Sequence, residues 1–198
     1  MNKTLFSQSG FTLVEVLVSI TLLLMVIVGP LQIISHTNNS TAFATEQMTA
    51  WFLAQEGLEL AQQARDGYLL EYFANPSVAQ PWARFVDPSG TYGSCFAVAG
   101  CNITLNPSGV ASVKPCGGTA CDLKLNASQR MRYNDSKGIP TAPTFTRVVT
   151  MKVTGVDQGS GRGREVSATS TVTWRTGSLI TGQKVVTATS LFNIYDTP

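Results

Sequence analysis

Residues 11–34 form an apolar run of 24 positions in which Glu15 is the single charge. About 20 apolar residues in a helix cross the hydrocarbon core of a bilayer, so the run predicts one spanning helix. The pattern then changes from uniformly apolar to periodic. Phe43, Met48, Trp51, Phe52, Leu58, Ala61 and Ala64 recur at helical spacings, with Gln47, Gln55, Glu59, Gln62 and Gln63 between them. This predicts that residues 35–67 continue the helix as an amphipathic spine whose large apolar side chains face a sheet. Asp66-Gly67 is the predicted stop, giving a helix over 11–66 of about 80 Å. Within the apolar part, Gly29-Pro30 predicts a kink, because proline lacks the amide hydrogen and its ring clashes with the preceding turn.

Periodicity is lost over 68–143, where Pro76, Pro81, Pro88, Pro107, Pro115, Pro140 and Pro143 are scattered among Gly, Ser and Asn. A loop-rich insert with short strands at 92–98, 102–105 and 122–125 is the expectation. The last third, 144–198, alternates with a period of two. Phe145, Val149, Met151 and Val153 oppose Thr146, Thr150 and Lys152; next, Val166, Ala168, Ser170, Val172 and Trp174 oppose a row of Ser, Thr and Arg; finally Val186, Ala188, Ser190, Phe192 and Ile194 share a face. The second and third runs narrow to small residues midway, which lets a helix approach the sheet closely. Short Gly-bearing connections at 155–163 and 177–182 suit antiparallel hairpins. The predicted fold is α+β, a long N-terminal helix laid on an antiparallel meander.

Charge is unevenly spread along this layout. Residues 1–113 hold three Lys/Arg against seven Asp/Glu, whereas 114–198 hold eleven against five. Lys3 is the only basic residue ahead of the apolar run and places the N-terminus in the cytoplasm, with everything after residue 34 exported. Export makes disulfides chemically reasonable for Cys95, Cys101, Cys116 and Cys121. Nearest-neighbour and nested pairings are both sterically open. A zinc site fits less well, since the cysteine spacings differ from zinc knuckles and the one histidine, His36, is distant.

A carboxylate in a spanning helix costs about 2.5–3.5 kcal/mol when central and less near the interface, so Glu15 calls for an explanation. The stretch Gly10-Phe11-Thr12-Leu13-Val14-Glu15, behind a short polar leader, closely resembles the processing site of type IV prepilins and pseudopilins. The resemblance implies a pilin-like fold, cleavage of the 1–10 leader between Gly10 and Phe11 by prepilin peptidase, and methylation of the new amino group on Phe11. It further implies that Glu15 pairs with the terminal ammonium of a neighbouring subunit, so that neither charge is buried alone. Other pilin subunits, a membrane platform protein and a cytoplasmic assembly ATPase are the implied partners. The bilayer holds the subunit before assembly, and extension of the helix near Gly29 and Pro30 accompanies packing.

No catalytic set is present: there is no Gly-x-Ser-x-Gly, no His-Glu-x-x-His and no phosphate loop, and no cofactor is expected. The 157–163 stretch has too few carboxylates for a calcium loop and reads as a hairpin tip. Arg130, Arg132, Arg147, Arg162 and Arg164 form either a face for DNA phosphates or a solvated surface. The expectation is therefore a structural subunit, a minor pilin or pseudopilin. A DNA-uptake pilin and a single-span anchored protein that never polymerises are the alternatives.

Overall fold

The computed structural model describes residues 10, 12–105, 109–126, 132–134, 138–156, 163–176 and 182–193. Two compact units are present, Met1–Ala44 and Thr45–Pro198. Helix α1 (Leu13–Ala74) contributes to both. From Leu13 to Leu31 the helix is apolar on nearly every side, and hydroxyl side chains there satisfy themselves on the helix backbone. Ser19 donates to the Glu15 carbonyl and Thr21 to that of Val18. Helix α1 also runs through Gly29 and Pro30.

The second unit holds the remaining elements: α2 (Pro81–Phe85), a single 3-10 turn at Gly93–Phe96, and strands β1 (Cys101–Leu105), β2 (Ala111–Pro115), β3 (Asp122–Asn126), β4 (Arg132–Asn134), β5 (Ile139–Val156), β6 (Gly163–Trp174) and β7 (Gln183–Phe192). All pairings are antiparallel. Along one path the order is β2-β1-β5-β3-β4, and β6 adds to β5 and β7 to β6. The predicted meander is therefore β5-β6-β7, with the short strands of the insert on the far side of β5. Of the predicted short strands, those at 102–105 and 122–125 correspond to β1 and β3.

Helix residues from Ala50 onward pack on one face of this sheet. Ala50, Leu53 and Ala54 meet Leu123, Phe145, Val172 and Trp174, while Leu58, Leu60, Ala61 and Ala64 join Val149, Met151, Val166, Ala168 and Leu191. Every even position of β6 from Val166 to Trp174 is buried, so the alternation read in that strand holds, and the small midpoint has the expected consequence. A Cβ placed on Gly57 would lie 2.6 Å from Ser170 Oγ and 3.2 Å from Val149 Cγ2, so the helix backbone rests almost directly on the sheet.

Three expectations are corrected by the structure. The helix meets the sheet with small residues, and the rings expected there face outward: Trp51 and Phe52 stand exposed with centroids 5.4 Å apart, and Met48 is exposed as well. An indole or phenyl group does not fit in a gap that just admits Gly57. Strand β7 presents the opposite face from the one predicted, burying Leu191 and half-burying Val185, Thr187 and Thr189, whereas Val186, Ala188, Ser190 and Phe192 are exposed. Pairing sets this, because Leu191 lies opposite Val166 and Val185 opposite Val172, both buried. Adjacent Val185 and Val186 allow either face, and a one-residue slip exchanges them. Ile194 of the predicted face lies outside the described residues. Third, α1 passes Asp66-Gly67 and ends at Ala74. An interior glycine costs a helix about 1 kcal/mol, and continuing buries Leu69 and stacks Tyr68 edge-on against Tyr92. Pro76 lies just beyond the end.

The stretch expected as a strand over 92–98 contains the 3-10 turn instead. Successive tight turns lead into it, with the amides of Gly90, Gly93 and Cys95 donating to the carbonyls three residues back. Helix α2, not foreseen, buries Trp82 and Phe85, and the Trp82 indole N–H donates to the Gly163 carbonyl.

Candidate assembly site at the N-terminus

Gly10 is exposed, and Phe11 lies outside the described residues. Thr12 immediately precedes α1, and its Oγ1 accepts a hydrogen bond from the Glu15 amide at 3.3 Å. Thr12 and Glu15 thus stand at the spacing of a capping box, a threonine followed three residues later by a glutamate at a helix start. The signal is visible in the sequence, yet the reading of Glu15 as a docking charge alone passed over it. A carboxylate in the first turn is also favoured by the helix dipole. Glu15 is therefore placed by local helix chemistry while its side chain stays exposed, with no ion-pair partner among the described residues.

From Leu13 to Leu31 the helix has a mean hydropathy of 2.4 over 19 residues, and none of that window is buried by the chain itself. An apolar surface of this extent without an internal partner marks contact with a membrane or another protein. Residues 5–29 match the prokaryotic N-terminal methylation motif. This is the type IV pilin and pseudopilin signature. No curated protein and no solved structure matches the chain. The matched residues 5–29 take in Gly10, Phe11, Glu15 and the apolar helix as far as Gly29. In a type IV pilin or pseudopilin such a helix anchors the subunit in a membrane, and the motif marks a structural rather than a catalytic family.

The cysteines pair with their neighbours, Cys95 with Cys101 and Cys116 with Cys121. The first bridge ties the 3-10 turn to β1; the second closes the turn between β2 and β3. Both staple the stretch with the least regular structure, where the entropy of the unfolded chain is costly to remove.

The arginines considered for a DNA face are not brought together among the described residues. Arg130 and Arg162 lie outside them, as does the side chain of Arg132, whose backbone is in β4; Arg164 is exposed at the start of β6. Arg147 is fully buried, which corrects its assignment to the surface. It has the parity of Phe145 and Val149 and so points to the helix. Its Nη1 donates to Glu56 Oε2 at 2.8 Å and to the Leu53 carbonyl at 3.2 Å, its Nη2 to the Ile103 carbonyl at 2.6 Å, and its Nε to Asn102 Oδ1 at 3.1 Å. One guanidinium thereby joins α1, β1 and β5, and every bond is charge-assisted. Burial raises the pKa of the Tyr92 phenol above its ordinary value, with a smaller contribution from Tyr68.

Proposed function

We propose that this protein is a structural subunit, a minor pilin or pseudopilin, of a type IV pilus-like filament. The observation that carries the reading is the prepilin motif, with its exposed Glu15 carboxylate, on a helix whose apolar surface the chain leaves uncovered. Prepilin peptidase cuts between Gly10 and Phe11, and Phe11 acquires the methyl group. The helix then holds the subunit in the membrane, with its C-terminal unit exported, until a platform protein and an assembly ATPase transfer it to the filament. There Glu15 pairs with the amino terminus of a neighbouring subunit, and the apolar side chains of α1 pack together. The Gly29-Pro30 step, where one backbone hydrogen bond is missing, is where the helix yields during that transfer. The irregular, disulfide-stapled 68–143 segment favours a minor subunit. No second reading through nucleic acid is drawn, since Arg147 is buried.

The test is a Glu15→Leu variant expressed beside the parent chain. Insertion into the membrane is expected at the parent level, because an apolar residue enters a bilayer more readily than a carboxylate. Recovery in sheared surface filaments is expected to fall at least tenfold. Equal recovery of the two chains would remove the proposed role of Glu15.

A further inference from the structure

Two edges of the second unit are complementary in a way the core does not require. Beside the β2 edge lies a groove of about 700 Å³ between the last turns of α1 and the residues leading into β2. Glu59, Gln62, Gln63, Leu70, Glu71 and Val110 line it. Leu70 and Val110 are 68% and 60% exposed. Glu71 is held by Arg84 at 2.9 Å, whereas Glu59 has no ion-pair partner among the described residues.

The other edge is β7, which among the described residues pairs with β6 alone. Edge strands are ordinarily blunted by charges or prolines, yet from Val185 to Phe192 this one has neither. Val186 and Phe192 are 51% and 53% exposed, and Lys184 and the adjoining Arg175 are exposed with no acidic partner among the described residues. The strand order β2-β1-β5-β6-β7 puts the groove and β7 on opposite sides of the sheet.

We propose that the groove of one copy receives the β7 edge of a second copy of this chain. Glu59 faces Lys184 and Arg175, the exposed apolar side chains of both edges cover one another, and the amides of Gln62 and Gln63 meet the unpaired backbone of β7. The distribution also selects the symmetry. A two-fold contact through either edge alone would set carboxylate against carboxylate or cation against cation, while a groove-to-edge contact joins opposite charges and leaves one groove and one edge open for a further neighbour. The proposal deepens the filament reading and rests on it for the setting in which copies meet.

The four native cysteines are bridged, so introduced thiols are the only free ones. Full-length chains carrying Gln63→Cys and Val186→Cys are co-expressed and oxidised in the membrane; a second pairing substitutes Ser167→Cys, mid-sheet on the outer face, for Val186→Cys. The expected result is at least tenfold more mixed disulfide dimer from the first pairing. Adding Glu59→Lys to one copy is expected to reduce it at least fivefold, and Lys184→Glu on the other to restore it to within twofold. Equal cross-linking of the two pairings, or no rescue by the second reversal, would overturn the contact whether or not filaments form. Cross-linking with rescue in cells that make no filaments containing this chain would support the contact and count against the filament reading alone.

Discussion

The two parts of α1 solve opposite problems with one backbone. The part from Leu13 to Leu31 is apolar nearly all round and leaves that surface uncovered, with Leu13 80% and Met25 77% exposed. The part in the second unit is mixed in composition and packs so tightly that it admits only Ala and Gly at closest approach. It even takes a charged residue, Arg147, beneath it. Apolar character alone therefore does not say what lies inside this protein. Complementarity does: a helix buries the face for which the same chain supplies a partner, and where the chain supplies none, the partner is another molecule or a membrane.

Arg147 gives the sharpest way to test that contrast. Replacing it with Ala leaves the Asn102 and Ile103 acceptors and the Glu56 carboxylate without their shared donor, and breaking a buried pair of this type costs about 3–5 kcal/mol. Denaturant unfolding of the second unit should show that loss, and Arg147→Met, which keeps volume but removes the same donors, should show most of it. Parent-like stability of Arg147→Met would mean that the guanidinium acts by filling space.

The paired glycines of α1 separate the two regions next. Gly57→Leu forces a side chain into contact with Ser170 and Val149 and is expected to cost about 1–3 kcal/mol by overpacking, while Gly29, with nothing within 4 Å, should accept leucine with no loss in the second unit. Comparable thermal shifts for both variants would contradict the close approach.

A smaller effect lies at the Tyr68–Tyr92 contact. The Tyr92 phenol has its pKa raised on folding, so its contribution is complete below the unfolded value of 10.0. It is lost as pH climbs from there through the folded value, because the unfolded chain releases its proton first. Stability of the second unit should fall above about pH 10, and Tyr92→Phe should flatten that decline. An identical alkaline profile for the variant would place the titration elsewhere.

How far these features could be read from the sequence varied with how far a pattern ran unbroken. Strand β6 alternates without ambiguity, and its buried face was plain. Its neighbour β7 offers valines at both 185 and 186, and only pairing with β6 decides between them. Arg147 was legible by parity, yet a charge on an inward position invites the reader to end the pattern rather than to seek its acceptors, two of which are backbone carbonyls. On the helix, Leu58, Ala61 and Ala64 of the predicted stripe are buried, while Met48, Trp51 and Phe52 are exposed, because size alone does not mark burial where the sheet demands small residues. The short α2 and the 3-10 turn carry no periodic signal at all; their positions follow from Trp82, Phe85 and the first disulfide. At the N-terminus Gly10, Glu15 and the apolar run were plain in the sequence, while the Thr12 cap went unread although its spacing to Glu15 is a local signal.

The central claim is that the uncovered half of α1 is an assembly surface exposed by processing after Gly10. Mass spectrometry of this chain in sheared filaments tests it most directly. The account predicts an N-terminal peptide beginning at Phe11 and carrying one added methyl group. A chain found only in the membrane fraction, with residues 1–10 still attached in cells whose prepilin peptidase is active, would contradict it.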